Sequence, residues 1–323
     1  MDMNICQTIK KLRLSRNLSQ ATLAKALGVS TQSISKWENQ KALPDIMLLP
    51  EIARFFEVSI DDLFMGNIVA KDILPASISD NISINHIAWD GISSGNWTGT
   101  ILPEWGVYIP NEETLHLLED IPGKKVLEIA CGDGQSLVYC GKKEVKELWG
   151  LDISEVQIRK AKKLMKENGL RANLYLSPME TNPGIPEHYF DFIYSIYGIG
   201  WTQDLEKTIS CVAKYLKTNG IFVFSWDNPM ISCIDTINGQ YVMTRSYVDE
   251  WKVRRKQRGE TVVLTNWKLA SYVNLLAKYG FKIERLIEDS SEVSENVIFT
   301  EEYYSEHKAR YIHHTFVIKA RKL

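Results

Sequence analysis

The sequence predicts an α/β protein in which a small all-α unit precedes a larger, mostly parallel sheet. Residues 1–66 form a run of short amphipathic helices with no strand pattern, whereas from about residue 112 onward helices alternate with short apolar strands. Such alternation is typical of a parallel sheet covered by helices. At 125–140 a strand leads through a glycine-rich turn into a helix, an arrangement that places backbone N–H groups beside a ligand.

The composition is that of a globular protein with an ample core. Of the 323 residues, 45% are hydrophobic and 24% are charged, and the net charge of −2 does not indicate a nucleic-acid binder as a whole. No apolar run is long enough to cross a bilayer, and the charged N-terminus lacks the apolar region of a secretory signal. The five cysteines form no CxxC pair and the histidines are scattered. We therefore expect a cytoplasmic protein with no disulfide framework and no metal.

Five short helices are expected in the first unit. They are predicted at about Cys6–Arg16, Gln20–Leu27, Thr31–Asn39, Asp45–Phe56 and Ile60–Phe64. Ser19 and Ser30 are suitable N-cap residues for the second and third helices. Gly28 supplies the residue of positive φ that ends the second helix.

The spacing of the second and third helices is typical of a helix-turn-helix. The small Ala24 lets two helices cross closely, Gly28 permits the turn, and Ile34 and Trp37 bury the inner face of the third helix. The polar residues left on its outer face are Thr31, Gln32, Ser33 and Lys36. The third helix is thus predicted to be the reading helix.

Residues 7–64 resemble the Xre/phage-repressor family of DNA-binding domains, chiefly through LSQATLAKALGVSTQSISKWENQKALPDIMLLPEIARFFEVSIDDLF. The resemblance implies binding to double-stranded DNA, with phosphate contacts from Gln20 and Asn39 and base contacts from Thr31, Gln32 and Lys36. Because one such unit binds weakly alone, we expect a homodimer that binds two half-sites. The alternative is a helical bundle used for dimerisation, whose polar face is only solvated.

The glycine-rich turn lies between two acids. Glu128 is inside the first strand, Gly132 and Gly134 follow, and Asp152 ends the second strand, where an acid can accept both ribose hydroxyls. A dinucleotide site favours a third glycine, but Leu137 stands at that position. An S-adenosylmethionine site needs only the close turn and an acid near the ligand's ammonium group, and therefore fits better.

From about residue 85 the sequence resembles class I, Rossmann-like methyltransferases that use S-adenosyl-L-methionine. The resemblance is carried by VLEIACGDGQS (126–136), LWGLDIS (148–154), FDFIYSIYGIGW (190–201), YLKTNGIFVFSWDNP (215–229) and NWKLASYVNLLAKYGFKIERLIED (266–289). It implies a seven-strand, mostly parallel sheet ending in an antiparallel pair, predicted at Phe281–Glu288 and Tyr311–Lys319. It also implies S-adenosyl-L-methionine as the cofactor.

The resemblance gives each cofactor-binding residue a role. Glu128 would hold the methionine amino group, Gly132 and Gly134 would pass under the ligand, Asp152 would bind the ribose, Ile153 would pack on the adenine, and Ser195 would line the methionine end. Ala130 stands where a glycine is commonest in the family. After the third strand Pro178 replaces a common acid, so the adenine contact would come from Met179 and Glu180, through the Glu180 side chain or only the main chain.

Methyl transfer is an in-line displacement that depends mainly on positioning. The catalytic candidates are Tyr197 after the fourth strand and Trp226 and Asp227 at the end of the fifth. The rings could form walls for an apolar or cationic amine, and Asp227 could orient or deprotonate it. Alternatively, the tryptophan is core packing. The sequence lacks the motifs of DNA base methylation, so we expect a small-molecule acceptor.

Three segments and three functions follow. The segments are a helix-turn-helix domain at 1–66, a connector or lid at 67–111 and a methyltransferase domain at 112–323. The first hypothesis is a methyltransferase that also binds DNA and can regulate transcription. The alternatives are a transcriptional regulator that only senses the cofactor or its product, and an RNA or protein methyltransferase. The basic run Lys252–Arg258 is interpreted as a solvated helical face, or as a contact for DNA phosphates or an anionic substrate.

Overall fold

A computed structural model describes residues 5–15, 18–56, 58, 60–65, 77–95, 99–290, 293–294 and 296–323. The chain divides into two compact units, essentially the residues before 77 and those from 77 onward. Within the predicted connector, residues 67–76 and 96–98 lie outside the described residues, as does Arg16 at the predicted end of the first helix.

The first unit is helical, as predicted. Its helices are α1 (Ile5–Ser15), α2 (Gln20–Ala26), α3 (Thr31–Glu38), α4 (Leu49–Phe56) and α5 (Ile60–Met65), with a 3-10 turn at Ile46–Leu48. The Ser19 and Ser30 hydroxyls accept hydrogen bonds from the Thr22 and Ser33 N–H groups and so cap α2 and α3. The fourth helix starts later than predicted because Asp45 caps the 3-10 turn in front of it.

A buried ion pair lies inside this unit. Arg13 on α1 donates from Nε and Nη2 to the two carboxylate oxygens of Glu38 on α3, at 2.5 and 2.8 Å, and from Nη1 to the Leu18 carbonyl. Gln20 donates to the same carboxylate at 2.8 Å. Although burial alone would raise it, the hydrogen bonds from Arg13 and Gln20 hold the pKa of Glu38 below its usual range. The Glu38 carboxylate therefore joins three helices: its own α3, α1 through Arg13 and α2 through Gln20.

The second unit contains the predicted seven-strand sheet, in the order β10-β11-β5-β4-β1-β2-β3. Its strands are β1 (Lys125–Ile129), β2 (Glu147–Asp152), β3 (Asn173–Leu176), β4 (Phe190–Ser195), β5 (Leu216–Asp227), β10 (Phe281–Ile287) and β11 (Thr315–Lys322). The pairs among β1 to β5 are parallel, and β11 is antiparallel to both β5 and β10. The carboxyl ends of β1, β2, β4 and β5 therefore meet along one edge, where ligands bind in such sheets.

Helices and two hairpins complete the unit. The helices are α6 (Ile78–Ser93), α7 (Glu112–Leu115), α8 (Gln135–Lys142), α9 (Glu155–Glu167), α10 (Leu205–Tyr215), α11 (Leu269–Lys278) and α12 (Glu306–Ala309). The hairpins are β6 (Ile234–Ile237) with β7 (Gln240–Met243), and β8 (Trp251–Gln257) with β9 (Glu260–Asn266). Among the described residues, no helix is long and apolar enough to cross a membrane, and no three metal-binding side chains converge.

Two local predictions were wrong. The basic run Lys252–Arg258 is not helical: most of it is β8, because Arg258 and Gly259 both have positive φ and so form the tight hairpin turn into β9. The last strand begins at Thr315 instead of Tyr311, because Ser305 caps the short α12 in front of it. His313 and His314 consequently precede this strand; the His314 ring is buried and accepts the Ser305 N–H, and burial lowers its pKa to about 4.

Side-chain amides hold α6 against the β8–β9 hairpin. The Asn85 amide pairs with both backbone groups of Val263 on β9, donating at 2.8 Å and accepting at 2.7 Å. Gln203, in the loop after β4, donates to the same Val263 carbonyl at 3.0 Å. The described part of the predicted connector therefore belongs to the second unit.

Candidate cofactor and acceptor site

The turn after β1 has an open side and a packed side. Ala130, Gly132 and Gly134 all have positive φ, a conformation that L side chains rarely adopt. A Cβ on Gly132 would meet nothing nearer than the Gln157 side chain at 4.0 Å, whereas one on Gly134 would lie 3.1 Å from the Ala161 Cβ. Gly134 thus serves helix packing, and Gly132 leaves space into which a ligand can come close. The positive φ of Ala130 explains why glycine is the expected residue there.

Asp152 ties this turn to the end of β2. Its carboxylate accepts the Gly132 N–H at 2.9 Å and the Ser154 N–H at 2.8 Å. Burial raises its pKa to about 6, and the backbone N–H groups oppose that rise. At pH 7.5 the group is ionised and can accept hydrogen bonds from a diol.

Glu128 lies deeper, at the end of β1. Its carboxyl oxygens both lie 2.6 Å from the Ser136 hydroxyl, and one is 3.1 Å from the Tyr194 hydroxyl. Burial raises its pKa to about 8, against the hydrogen bonds from Ser136 and Tyr194. A cation placed beside this carboxyl would favour its ionised form.

Ser195, the last residue of β4, has a fully buried hydroxyl for which the described residues provide no hydrogen-bond partner. A Cβ on Gly198 would lie 2.8 Å from this hydroxyl and 2.6 Å from the Ala130 Cβ, so Ser195 is close to the glycine turn. A buried polar group without a protein partner is costly. Ser195 is therefore available to a ligand at the predicted methionine end.

The residues after β3 lie beside Asp152, since the Ser177 N–H donates to the Asp152 carbonyl at 2.9 Å. Glu180 accepts from the Thr202 hydroxyl at 2.9 Å and from the Gln203 N–H at 2.6 Å. Its carboxylate therefore fixes the loop after β4. Both hydrogen bonds use the same carboxylate oxygen, Oε1, so the Glu180 side chain and the main chain near Met179 both stay predicted sources of an adenine contact. The half-buried Ile153 side chain follows Asp152 in sequence.

At the ends of β4 and β5, two tyrosines surround one carboxylate. The Tyr197 hydroxyl donates to Asp227, and the Tyr304 hydroxyl donates to both Asp227 oxygens at 2.9 and 2.8 Å. Burial and the Asp227 charge raise the pKa of Tyr197 well above its ordinary value, so it stays a hydrogen-bond donor. Sequence reasoning predicted Tyr197 and Asp227 but missed Tyr304, whose only signal was an aromatic pair in a polar stretch before the last strand.

Four aromatic rings lie in a row beside the Asp227 carboxylate, each packed against the next. Ring centroids are 5.3 Å apart for Tyr197 and Trp226, 5.6 Å for Trp226 and Trp201, and 4.9 Å for Trp201 and Trp89 on α6. Gly200 is needed here, because a Cβ would enter the Trp226 ring. Trp226 is buried, as core packing requires, whereas Trp89 and Trp201 are half-buried and can line a site.

In the first unit, α3 presents the predicted outer face. Thr31, Gln32 and Lys36 are exposed, while Ile34 and Trp37 are buried. Asn39 is exposed and donates to the Ser35 carbonyl at 2.9 Å. Gln20 is half-buried, and its amide is oriented by the contact with Glu38.

Comparisons with known proteins agree with both units. A family model described as a methyltransferase domain matches residues 108–286, more than half of the chain. The chain belongs to the methyltransferase family. A helix-turn-helix model matches residues 9–63, so this methyltransferase-family chain also carries an Xre-type helix-turn-helix domain.

Two relatives illustrate the match. Aklanonic acid methyltransferase DauC of Streptomyces sp. (strain C5) is 31% identical over 110 residues, which are 33% of this chain and 50% of that protein. An uncharacterized HTH-type transcriptional regulator of Methanocaldococcus jannaschii is 46% identical over 57 residues, 18% of this chain and 86% of that protein. The chain spans about half or less of the length of the first relatives that it matches.

A solved structure confirms the fold of the second unit. It comes from a Listeria monocytogenes protein assigned as an S-adenosylmethionine-dependent methyltransferase, and it superposes with a TM-score of 0.53 at 21% identity. The superposition covers 64% of this chain and 96% of that one. At this identity the likeness concerns the fold.

Proposed function

We propose that this protein is an S-adenosyl-L-methionine-dependent methyltransferase that acts on a small-molecule acceptor and binds double-stranded DNA through its helix-turn-helix domain. The observation that carries the proposal is the pair of buried acids, Glu128 and Asp152, on either side of a glycine turn whose Gly132 faces open space. An ammonium group and a ribose diol are the ligand groups that such acids bind. S-adenosyl-L-methionine has both.

The residues present fit this cofactor. Glu128 would hold the ammonium group, Asp152 the ribose hydroxyls, and the unpartnered Ser195 hydroxyl the methionine end. Ile153 and the main chain near Met179 would contact the adenine. When bound, the cofactor would supply an electrophilic methyl group: a bond from the acceptor's lone pair to the methyl carbon would form as the carbon–sulfur bond breaks in line, and S-adenosylhomocysteine would be the leaving group.

Tyr197, Trp226 and Asp227 would serve the acceptor. Tyr197 would provide ring surface, with the buried Trp226 ring packed behind it at 5.3 Å, and Asp227 would orient a donor group or take its proton when the nucleophile arrives protonated. Tyr304, in the segment before α12, donates its hydroxyl to the Asp227 carboxylate and so holds it in place. Their position at the ends of β4 and β5, beside Ser195, supports this assignment.

The first test is a change at Asp152. We expect Asp152→Ala to weaken binding of S-adenosylhomocysteine by at least about tenfold, because a charge-assisted hydrogen bond contributes roughly 1.5–3 kcal/mol. Titration calorimetry measures this. Asp152→Asn keeps an acceptor for one of the two backbone N–H groups, so its comparison with Asp152→Ala separates loss of the charge from loss of both hydrogen bonds of the turn. Unchanged affinity in both variants would refute the ribose assignment.

The DNA proposal is tested on α3. Gln32→Ala combined with Lys36→Ala should reduce affinity for a sequence selected from random double-stranded DNA by at least about tenfold, since each good base contact contributes roughly 1–3 kcal/mol. S-adenosylhomocysteine binding should not change. The control is Arg54→Ala, an exposed basic residue on α4. Equal DNA binding by the double variant and the control would show that α3 reads no bases.

A second candidate function is a transcriptional regulator that senses the cofactor or its product without turnover. Membership of the helix-turn-helix family favours it. Transfer of a labelled methyl group to any acceptor in a metabolite extract distinguishes an enzyme from such a sensor. RNA and protein acceptors belong in the same screen. The homodimer, the regulation of transcription and the cytoplasmic location stay predictions, as do the boundaries at 66 and 111.

A further inference from the structure

Helix α6 precedes the segment that the methyltransferase model matches, yet one of its side chains contacts the start of α9. The Asp90 carboxylate accepts the Ser154 hydroxyl at 2.6 Å and the Val156 N–H at 3.2 Å. Ser154 follows Asp152 by two residues. Asp90 therefore acts where β2 turns into α9, at the proposed ribose-binding acid.

Ser154 uses all of its hydrogen-bonding groups in this turn. Its N–H donates to the Asp152 carboxylate at 2.8 Å, and its hydroxyl oxygen accepts the Gln157 N–H at 3.2 Å as the N-cap of α9. The hydroxyl proton goes to Asp90. Because Asp90 on α6 binds the Ser154 hydroxyl, it also restrains the Ser154 N–H, which orients the Asp152 carboxylate.

Contacts along α6, and one just after its end at Gly95, attach it to the rest of the second unit. Asn85 pairs with the Val263 backbone, Trp89 packs edge-on against Trp201 at 4.9 Å, and Lys160 on α9 donates to the Gly95 carbonyl at 3.0 Å. Trp89 and Asp90 are adjacent in the chain. Trp89 contacts Trp201 on the proposed acceptor side, and Asp90 contacts Ser154 on the proposed cofactor side.

We propose that Asp90 is a positioning residue of the cofactor site, and that α6 is part of this site. The inference rests on the proposed function, since it needs Asp152 to bind the ribose. Two carboxylates share one turn here, and the positive end of the α9 dipole lowers the cost of placing both there. Asp90 thus acts on the ligand through Ser154 and Asp152.

The experiment compares S-adenosylhomocysteine binding by the full-length protein and three variants, using calorimetry. At pH 7.5, Asp90→Ala should weaken binding by about tenfold, because Ser154 and Val156 lose a charged acceptor. Asp90→Asn should bind within about twofold of the original chain, because an amide oxygen can accept both hydrogen bonds. Glu155→Gln, an exposed acid in the first turn of α9, is the matched control and should change nothing.

The pH dependence of S-adenosylhomocysteine binding separates an effect of the Asp90 charge from an effect of helix packing, because a change in packing alone would not shift it. Burial mainly, and the Asp90 charge in addition, raise the pKa of Asp152. Removing the Asp90 charge should therefore move the acidic limit of binding to lower pH in Asp90→Asn. Other titratable groups near these carboxyls are Glu128 and Cys131, which interact with Asp152, and His86, 3.4 Å from Asp90. They are the same in all variants.

The outcomes separate this inference from the proposed function. If the original chain does not bind S-adenosylhomocysteine, the proposed function fails and the inference fails with it. If the original chain binds but Asp90→Ala binds equally well at every pH, only the inference is overturned. It is also overturned if Asp90→Asn is as weak as Asp90→Ala and its pH limit is unmoved, because α6 would then act through packing.

Discussion

Glu128→Gln is expected to stabilise the protein at pH 8 while it weakens cofactor binding at least about 100-fold. The carboxyl is fully buried, and its pKa of about 8 lies far above the 4.5 of an exposed glutamate. Between these pH values the folded chain binds a proton that the unfolded chain has lost, so stability falls as pH rises. Glutamine keeps the contacts with Ser136 and Tyr194 but does not titrate, so it removes this dependence of stability on pH.

The size of the effect follows from the same linkage. One pKa unit corresponds to about 1.36 kcal/mol, so the gain from Glu128→Gln should be near zero at pH 4.5 and about 2–4 kcal/mol at pH 8. Urea unfolding followed by tryptophan fluorescence measures it, since eight of the nine tryptophans lie beyond the first unit. An equal stability difference at both pH values would show that Glu128 does not titrate with folding.

The loss of binding has a separate cause. A buried ammonium needs an anionic partner, and removing one member of a buried ion pair costs about 3–5 kcal/mol, or more than 100-fold in affinity. Calorimetry with S-adenosylmethionine at pH 8 checks this. Glu144→Gln, which removes an exposed acid after α8, is the control for net charge. Unchanged affinity in Glu128→Gln would show that no ammonium binds beside β1.

The second large effect concerns the Arg13–Glu38 pair. Glu38→Ala should destabilise the first unit by about 3–5 kcal/mol, because it leaves the Arg13 guanidinium buried without its partner. Arg13→Met combined with Glu38→Leu should recover most of this loss, since it removes both charges and refills the volume. Hydrogen exchange in full-length protein, read for residues 5–65 and for residues 77–323, measures each unit. Equal exchange in Glu38→Ala and the original chain would show that the pair contributes no stability.

Local patterns predicted the scaffold and most of the candidate site. Serines ahead of α2 and α3 predicted their starts, and the alternation of apolar runs predicted the sheet. Glu128, the glycines and Asp152 were found because strand, turn and acid follow one another in the chain. β8 was misassigned because lysine and arginine are compatible with a helix, and only the turn at Arg258–Gly259 sets the strand.

The contacts between distant segments could not be predicted. Asp90 meets Ser154 across 64 residues of chain, and Tyr304 meets Asp227 across 77. Neither pair is marked by spacing, because tertiary packing alone brings these segments together. Glu180 is a further case: its place after β3 predicted a ligand contact but not that one of its carboxylate oxygens would also hold the loop after β4.

The pairing of Asn85 with Val263 has a consequence for which substitutions the β8–β9 hairpin tolerates. A side-chain amide here takes the place of a neighbouring strand, and it recognises peptide groups only. The β8–β9 hairpin can therefore exchange its exposed side chains without loosening its attachment, provided that position 263 keeps its N–H and never becomes proline.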